Sequence, residues 1–129
     1  MAELAVPVTT RFATLLIFAW LLIASPSRAA EFPGKWEIRA SLPTVRSEIA
    51  RASLNGKIFV FGGESNSGTH NQTESYDPAN NSWQNWAPMP TARHGLGAAI
   101  VSSSIYVISG GPKPGATFSS VNEVFTPIK

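Results

Sequence analysis

The chain has 129 residues, a formal net charge of +2 and no cysteine. The near balance of charge excludes a nucleic-acid binder that depends on clustered positive charge, and the lack of cysteine excludes a disulfide framework. Zinc and copper sites take three or four ligands, and the chain has only two histidines. We therefore expect no metal and no cofactor.

The first 29 residues predict an export leader. Arg11 supplies a positive charge, Phe12–Ala24 is an almost unbroken apolar run, and small residues follow. This order is typical of a signal peptide. The apolar run would span about 20 Å of a bilayer core of about 30 Å, so a stable membrane anchor is not expected. We place the cleavage after Ala29, which leaves residues 30–129 as one secreted or periplasmic domain.

Strand and turn signals alternate through the first half of this domain. A strand is expected near Trp36, followed by a hairpin whose Asn55-Gly56 turn tolerates positive φ at both positions. A second turn is expected at Asn80-Asn81. The strands around these turns are predicted at Ile49–Ser53, Lys57–Phe61, Glu74–Asp77 and Ser82–Trp86.

The second half repeats the same order of signals. Strands are predicted at Leu96–Val101 and Ile105–Ser109, joined through Ser102–Ser104, and a third strand near Phe125. No amphipathic helix pattern interrupts either half. Short antiparallel strands without helices predict an all-β domain.

The two halves are copies of one pattern. Trp36 recurs as Trp83, and the Pro-Thr-x-Arg sequence that ends at Arg46 recurs at Arg93, each after 47 residues. The remaining pairs follow after 48 or 49 residues: Gly62 and Gly63 recur as Gly110 and Gly111, and Tyr76 recurs as Phe125. Four strands at such a period indicate a propeller blade.

The ordered set of Gly-Gly, an aromatic residue and Trp resembles the Kelch-repeat family. The resemblance implies a β-propeller, whose blades pack face to face around a central axis. The predicted fold is a partial Kelch-type β-propeller of about two four-stranded antiparallel blades after a signal helix. It is circularly permuted, because the first strand is of the type that the last blade lacks. The structural repeat residues are Trp36, Gly62, Gly63, Tyr76, Trp83, Gly110, Gly111 and Phe125.

Two blades alone do not close a ring, because propellers have about four to eight blades. One explanation is a homo-oligomer, in which the Trp36 strand of one copy completes the last blade of the next and three copies give six blades. The other is a truncated relative of a longer propeller protein. Both explanations predict the same local fold.

Few residues are candidates for ligand binding. Arg46 and Arg93 occupy equivalent positions before the innermost strands, and His94 follows the second of them. The resemblance implies that these positions lie near one mouth of the ring, where guanidinium groups can bind anions. The alternative is that each arginine forms a salt bridge or caps carbonyl groups within its own blade.

Two functions remain open. The first is an exported module that binds a protein or a carbohydrate and has no enzymatic activity, which the lack of any predicted catalytic cluster favours. The second is a fragment or subunit of a propeller enzyme that modifies sugar acids, resembling sialic-acid mutarotases. In that case Arg46, Arg93 and His94 are the expected site residues.

Overall fold

The structure is a computed structural model that describes residues 32–128. The predicted signal peptide and its cleavage point lie outside the described residues. Residues 36–128 belong to one compact unit, and residues 32–35 contain no helix or strand. Within residues 32–128 every regular element is a β-strand, and no helix long and apolar enough to cross a membrane occurs there.

The described residues form two antiparallel sheets and a short ribbon. The strands are β1 (Ala50–Leu54), β2 (Lys57–Phe61), β3 (Glu64–Ser65), β4 (Gly68–Thr69), β5 (Thr73–Asp77), β6 (Ser82–Asn85), β7 (Gly97–Val101), β8 (Ser104–Ile108) and β9 (Asn122–Phe125). The first sheet has the order β1-β2-β5-β6, and the second has the order β7-β8-β9. Strands β3 and β4 pair with each other as a two-residue ribbon. The all-β blade architecture predicted from the sequence is confirmed.

Tight turns set the register of the first sheet. Asn55 and Gly56 both adopt positive φ, at 51° and 75°, so that Leu54 pairs directly with Lys57. Asn81 adopts a φ of 50° and closes the turn before β6. Short polar residues and glycine reach this left-handed region at low cost, which is why these positions end one strand and begin the next.

The core lies between the two sheets. Phe59 and Phe61 of β2 are buried, and they face Ile105 and Val107 of β8, which are also buried. The ring of Phe125 in β9 lies 5.8 Å from that of Phe59 and 5.9 Å from that of Phe61. The two sheets therefore pack face to face, as neighbouring blades of a propeller do.

The glycine pair after β2 allows the close approach of the two sheets. Gly62 and Gly63 adopt φ values of 57° and 109°. A Cβ atom on Gly62 would lie 2.4 Å from the carbonyl oxygen of Arg93, and one on Gly63 would lie 2.5 Å from that of Ser47. The amide of Gly63 donates a hydrogen bond to the same Arg93 carbonyl at 2.8 Å. A side chain at either position has no room.

The strand predicted near Trp36 is not formed. Residues 36–40 contain no strand, and the side chains of Trp36 and Ile38 are fully exposed. A strand needs a neighbouring strand for its backbone hydrogen bonds, and no strand of residues 32–128 pairs with this segment in a sheet. Within residues 32–128 the first blade has four strands and the last has three, as the permuted count predicts, and the separate strand predicted at Trp36 is missing.

Candidate functional site

A cleft of about 470 Å³ opens at the end of the sheets where β1 and β7 begin and β2 and β8 end. Three chemically active side chains line it: Glu48 before β1, Glu64 at the start of β3 and His94 before β7. The loop after Gly111 also lines the cleft and carries Phe118, which is 86% exposed. The cleft thus combines carboxylates, an imidazole and an aromatic ring.

His94 is the centre of this group. Its Nδ1 lies 2.7 Å from a carboxylate oxygen of Glu48 and 3.8 Å from one of Glu64. Its Nε2 lies 2.9 Å from the carbonyl oxygen of Lys113. Because both ring nitrogens face acceptors, the protonated imidazole satisfies both contacts by donating to them. The hydrogen bond to Glu48 raises the pKa of His94 above its ordinary value, against the opposing effect of burial.

Glu48 adopts a backbone conformation that side chains rarely take. Its φ is 53°, and the equivalent residue of the second repeat is Gly95, with a φ of 59°. The left-handed conformation costs a residue with a side chain about 1 to 2 kcal/mol relative to glycine. The first repeat therefore carries a carboxylate at a position of positive φ, where the second repeat has glycine.

The repeat differs at a second position of the same segment. The first repeat has Arg46-Ser47-Glu48, and the second has Arg93-His94-Gly95. The two side chains that break the repeat, those of Glu48 and His94, are hydrogen-bonded to each other across 46 residues of sequence. Residues that recur in each blade stabilise the fold, whereas the Glu48–His94 pair occurs once and has no counterpart in the repeat.

The same three side chains are the described residues whose arrangement could hold a cation. Glu48, Glu64 and His94 each offer one ligand atom, and these atoms lie within 4.8 Å of one another. A cation bound by all three would displace the hydrogen bond between Glu48 and Nδ1 of His94 or the one between Nε2 and Lys113. We therefore describe the group as a hydrogen-bonded carboxylate–imidazole cluster.

The two arginines proposed as ligand residues lie inside their own sheets. The Arg46 side chain is buried, forms an ion pair with Glu74 and donates to the carbonyl oxygen of Gly62 at 2.7 Å. The Arg93 side chain is buried, donates to Glu123 at 2.8 Å and also to backbone carbonyls of its own sheet at 3.1 Å. This arrangement favours the structural interpretation of both residues. Of the three ligand candidates, only His94 lines the cleft.

Several residues of the cleft were not identified from the sequence. No short motif contains both Glu48 and Glu64, so the sequence does not indicate them as site residues. Phe118 lies in a loop without a repeat pattern. One signal was available for Glu48, since it is the residue at which the first repeat departs from the second. Nothing local in the sequence marks Glu64 or Phe118, because only the fold places them at the same cleft as His94.

Comparison with known proteins agrees with the fold. Residues 46–90 match a family model described as the Kelch motif. The solved structure titled "Structure of YjhT", a Kelch-type propeller, is similar to this chain with a TM-score of 0.56 and 26% sequence identity. The match covers 61% of this chain and 25% of that chain, so this chain spans about a quarter of the length of the solved protein. No curated protein sequence matches the chain.

Proposed function

We propose that this chain, a protein of Kelch-repeat propeller blades, is an exported carbohydrate-binding module that holds its ligand in the cleft above Glu48, Glu64 and His94. The observation that carries the proposal is the presence of two carboxylates and an exposed aromatic ring in one cleft. Carbohydrates offer hydroxyl donors on their edges and apolar C–H groups on their faces. A site with both acceptors and an aromatic surface complements them.

The acceptors of the cleft are available to a ligand. The Glu48 side chain is half exposed, and Glu64 is partly exposed beside it. Each ionised carboxylate accepts hydrogen bonds at two oxygens, so neighbouring sugar hydroxyls can donate to one side chain. Phe118 lines the same cleft and is exposed, so its ring can pack against a sugar face.

The size of the cleft supports a carbohydrate rather than a protein as the ligand. Its volume of about 470 Å³ lies in the range of small-molecule sites, which is about 300 to 1,000 Å³. A protein partner generally needs a surface of about 800 Å² on each side. A concave site of this size therefore fits a sugar of one or two rings better than a protein surface.

The charge of the cleft supports a sugar without an acidic group. The cleft holds two carboxylates against one imidazole, and the guanidinium groups of Arg46 and Arg93 are paired inside the sheets. A sugar acid would place a further negative charge beside Glu48 and Glu64. We therefore propose a neutral sugar or an amino sugar as the ligand.

A sugar-modifying activity is the second candidate. The pair of His94 and Glu48 faces the cleft, and an imidazole with a bound carboxylate can donate or accept a proton at a ligand. This candidate corresponds to the propeller enzymes that act on sugar acids. It requires a cationic group in the cleft for the acid, and the described residues of the cleft supply only the imidazole.

The test is a titration of the protein with neutral, amino and acidic monosaccharides and short oligosaccharides, measured by calorimetry and NMR chemical shifts. We expect Glu64→Gln and Phe118→Ala each to weaken binding of a neutral or amino sugar about tenfold or more, because a charged hydrogen bond contributes about 1.5 to 3 kcal/mol. The control Glu37→Gln changes an exposed carboxylate that pairs with Arg39 outside the cleft, and it should leave binding unchanged.

The outcomes separate the candidates. Lack of binding by every sugar, or binding that both cleft variants leave unchanged, would overturn the proposal. Preferential binding of a sugar acid would favour the second candidate, and an accelerated interconversion of its anomers, lost in His94→Gln, would establish the enzymatic activity.

Export is part of the same proposal. It is supported by the order of Arg11, the apolar run Phe12–Ala24 and the small residues up to Ala29. We propose that the mature protein begins at Ala30 and acts in the periplasm or outside the cell.

A further inference from the structure

The second sheet has an open edge. In the first sheet β6 pairs with the outer side of β5, whereas among residues 32–128 no strand pairs with the outer side of β9. Strand β9 is the repeat equivalent of β5, since Phe125 corresponds to Tyr76. An unpaired edge presents backbone donors and acceptors that can bind another strand.

The segment 36–39 has the sequence of the strand that this edge lacks. Trp36 corresponds to Trp83 of β6, and Ile38 corresponds to Asn85. In the first sheet the Trp83 ring lies 5.3 Å from that of Tyr76, whereas Trp36 and Ile38 are fully exposed. A large aromatic residue and a β-branched residue at alternate positions suit a strand that packs on a neighbour.

The first sheet gives the register of the missing pairing. There Tyr76 lies opposite Trp83, and Glu74 lies opposite Asn85. Transferred through the repeat, Phe125 lies opposite Trp36, and Glu123 lies opposite Ile38. The aromatic pair of the first sheet is thereby reproduced in the second.

The two outer faces of the described unit match in the same way. Ala50 pairs with Phe61 in the first hairpin and Gly97 pairs with Ile108 in the second, so β2 and β8 correspond after 47 residues, one fewer than the glycine pairs. Phe61 of β2 is 0% exposed because it packs on the second sheet, but its equivalent Ile108 in β8 is 43% exposed. Ile105 of β8 is 0% exposed because it packs on the first sheet, but its equivalent Ile58 in β2 is 37% exposed. The two free faces are thus copies of the two faces that are joined in the core.

The segment 36–39 is held away from the edge of β9 in its own chain. Ala40 accepts a hydrogen bond from the Trp83 indole at 2.9 Å and donates one to Asn81 at 2.8 Å. Trp83 packs on Tyr76, and Tyr76 pairs with Ile58, which points away from the second sheet. The segment 36–39 of another copy can therefore fill the β9 edge.

We propose that copies of this chain assemble head to tail, with residues 36–39 of one copy forming the fourth strand beside β9 of the next. The contact joins unlike surfaces, and such a contact closes into a ring when the rotation permits. Three copies supply six blades, within the range of about four to eight that propellers use. The assembly does not depend on the proposed sugar ligand.

The first test is the mass of the purified protein in solution by light scattering and native mass spectrometry. We expect one species of three copies, and we expect Trp36→Ala and Ile38→Pro each to raise its dissociation constant at least 100-fold. Because both side chains are exposed in one copy, circular dichroism should show that the dissociated variants remain folded. The control Asn66→Ala, in the turn between β3 and β4, should keep the assembly. A single monomeric species, a polydisperse aggregate or an assembly insensitive to Trp36 would overturn the proposal.

The second test reads the register directly. The chain has no cysteine, so single cysteines can be introduced without interference. Ser75 lies opposite Gln84 in the first sheet, which places Val124 opposite Glu37 in the proposed contact. A mixture of Glu37→Cys and Val124→Cys chains should form a disulfide-linked pair under mild oxidation, and a mixture of Glu37→Cys and Asn66→Cys chains should not. Equal cross-linking in both mixtures, or none in the first, would contradict the register.

Discussion

At the scale of single residues, the departures from the repeat carry more functional information than the repeat itself. The residues common to both copies, such as Arg46 and Arg93, form ion pairs inside their sheets. Glu48 and His94, where the copies differ, contact each other and line the cleft. The shared arginines are ligand candidates by their position in the repeat, and the burial of both guanidinium groups favours the alternative that they stabilise their own blades.

The Glu48–His94 pair predicts a dependence of stability on pH. The hydrogen bond to Glu48 raises the pKa of His94 in the folded protein, so the protonated ring stabilises the fold. This contribution is fully present below the ordinary pKa of about 6.5 and is lost as the pH rises through the folded pKa. Because Glu48 is half exposed, we expect an effect of no more than about 1 kcal/mol.

Thermal unfolding between pH 5 and pH 9 measures this effect. His94→Gln should unfold at a lower temperature than the unchanged protein at pH 5 to 6, and the difference should shrink toward pH 9. His70→Gln is the matched control, since the His70 ring contacts Ser65 and Gln72 and no carboxylate. A difference for His94→Gln that is constant over this pH range would refute the assignment.

Gly62 gives a second prediction at this scale. Gly62→Ala should lower the free energy of unfolding by at least about 2 kcal/mol, because the new methyl group meets the Arg93 carbonyl and the backbone φ is positive. Gly68→Ala provides the comparison, since Gly68 also has a positive φ but no atom lies within 4 Å of its Cβ position. If urea denaturation gives equal losses of unfolding free energy for Gly62→Ala and Gly68→Ala, the close contact of Gly62 with the Arg93 carbonyl contributes nothing to the effect.

At the scale of elements, the strands with strong local signals were predicted closely. The run Lys57–Phe61 forms β2 as expected, and β1 and β8 are displaced by one residue from their predictions. Hairpin turns and alternating β-branched and aromatic residues are local properties, and they act before any long-range contact forms. The ribbon of β3 and β4 was not predicted, because its polar residues carry little β-propensity.

The elements and contacts that depend on distant parts of the chain were harder to predict. The strand expected at Trp36 is absent, and no strand of residues 32–128 pairs with this segment. The cleft forms because the segment before β1 meets the segment before β7, which brings Glu48 to His94. Local patterns predict strands, but contacts between distant segments follow from how the sheets stack. The order of the seven strands in the two sheets was therefore predictable, whereas the β3–β4 ribbon and the acidic side of the site were not.

At the scale of the whole molecule, one face of each sheet packs in the core and the other face is uncovered within residues 32–128. The uncovered face of each sheet is equivalent to the buried face of the other. Phe59, Trp86 and Phe125 form an aromatic cluster between the sheets, with ring centroids 5.7 to 5.9 Å apart. Further copies can extend the same packing, because each outer face is equivalent to a face already in contact. The proposed ring is this interface continued until it closes, and the cleft of each copy then lies where its two innermost strands begin.

The predicted leader concerns the whole molecule, because export would place the assembly outside the cytoplasm. We expect the chain, expressed in a secreting bacterial host, to appear outside the cytoplasm with a mass that corresponds to residues 30–129. Leu16→Arg places a charge in the apolar run and should reduce export at least tenfold, whereas Val45→Arg places the same charge on an exposed residue of the mature domain and should not. Ala29→Arg should block cleavage, because the residue before the cut has to be small. A product that retains residues 1–29 and stays in the cytoplasm would contradict export, and the sugar-binding and assembly experiments would still stand on the described sheets alone.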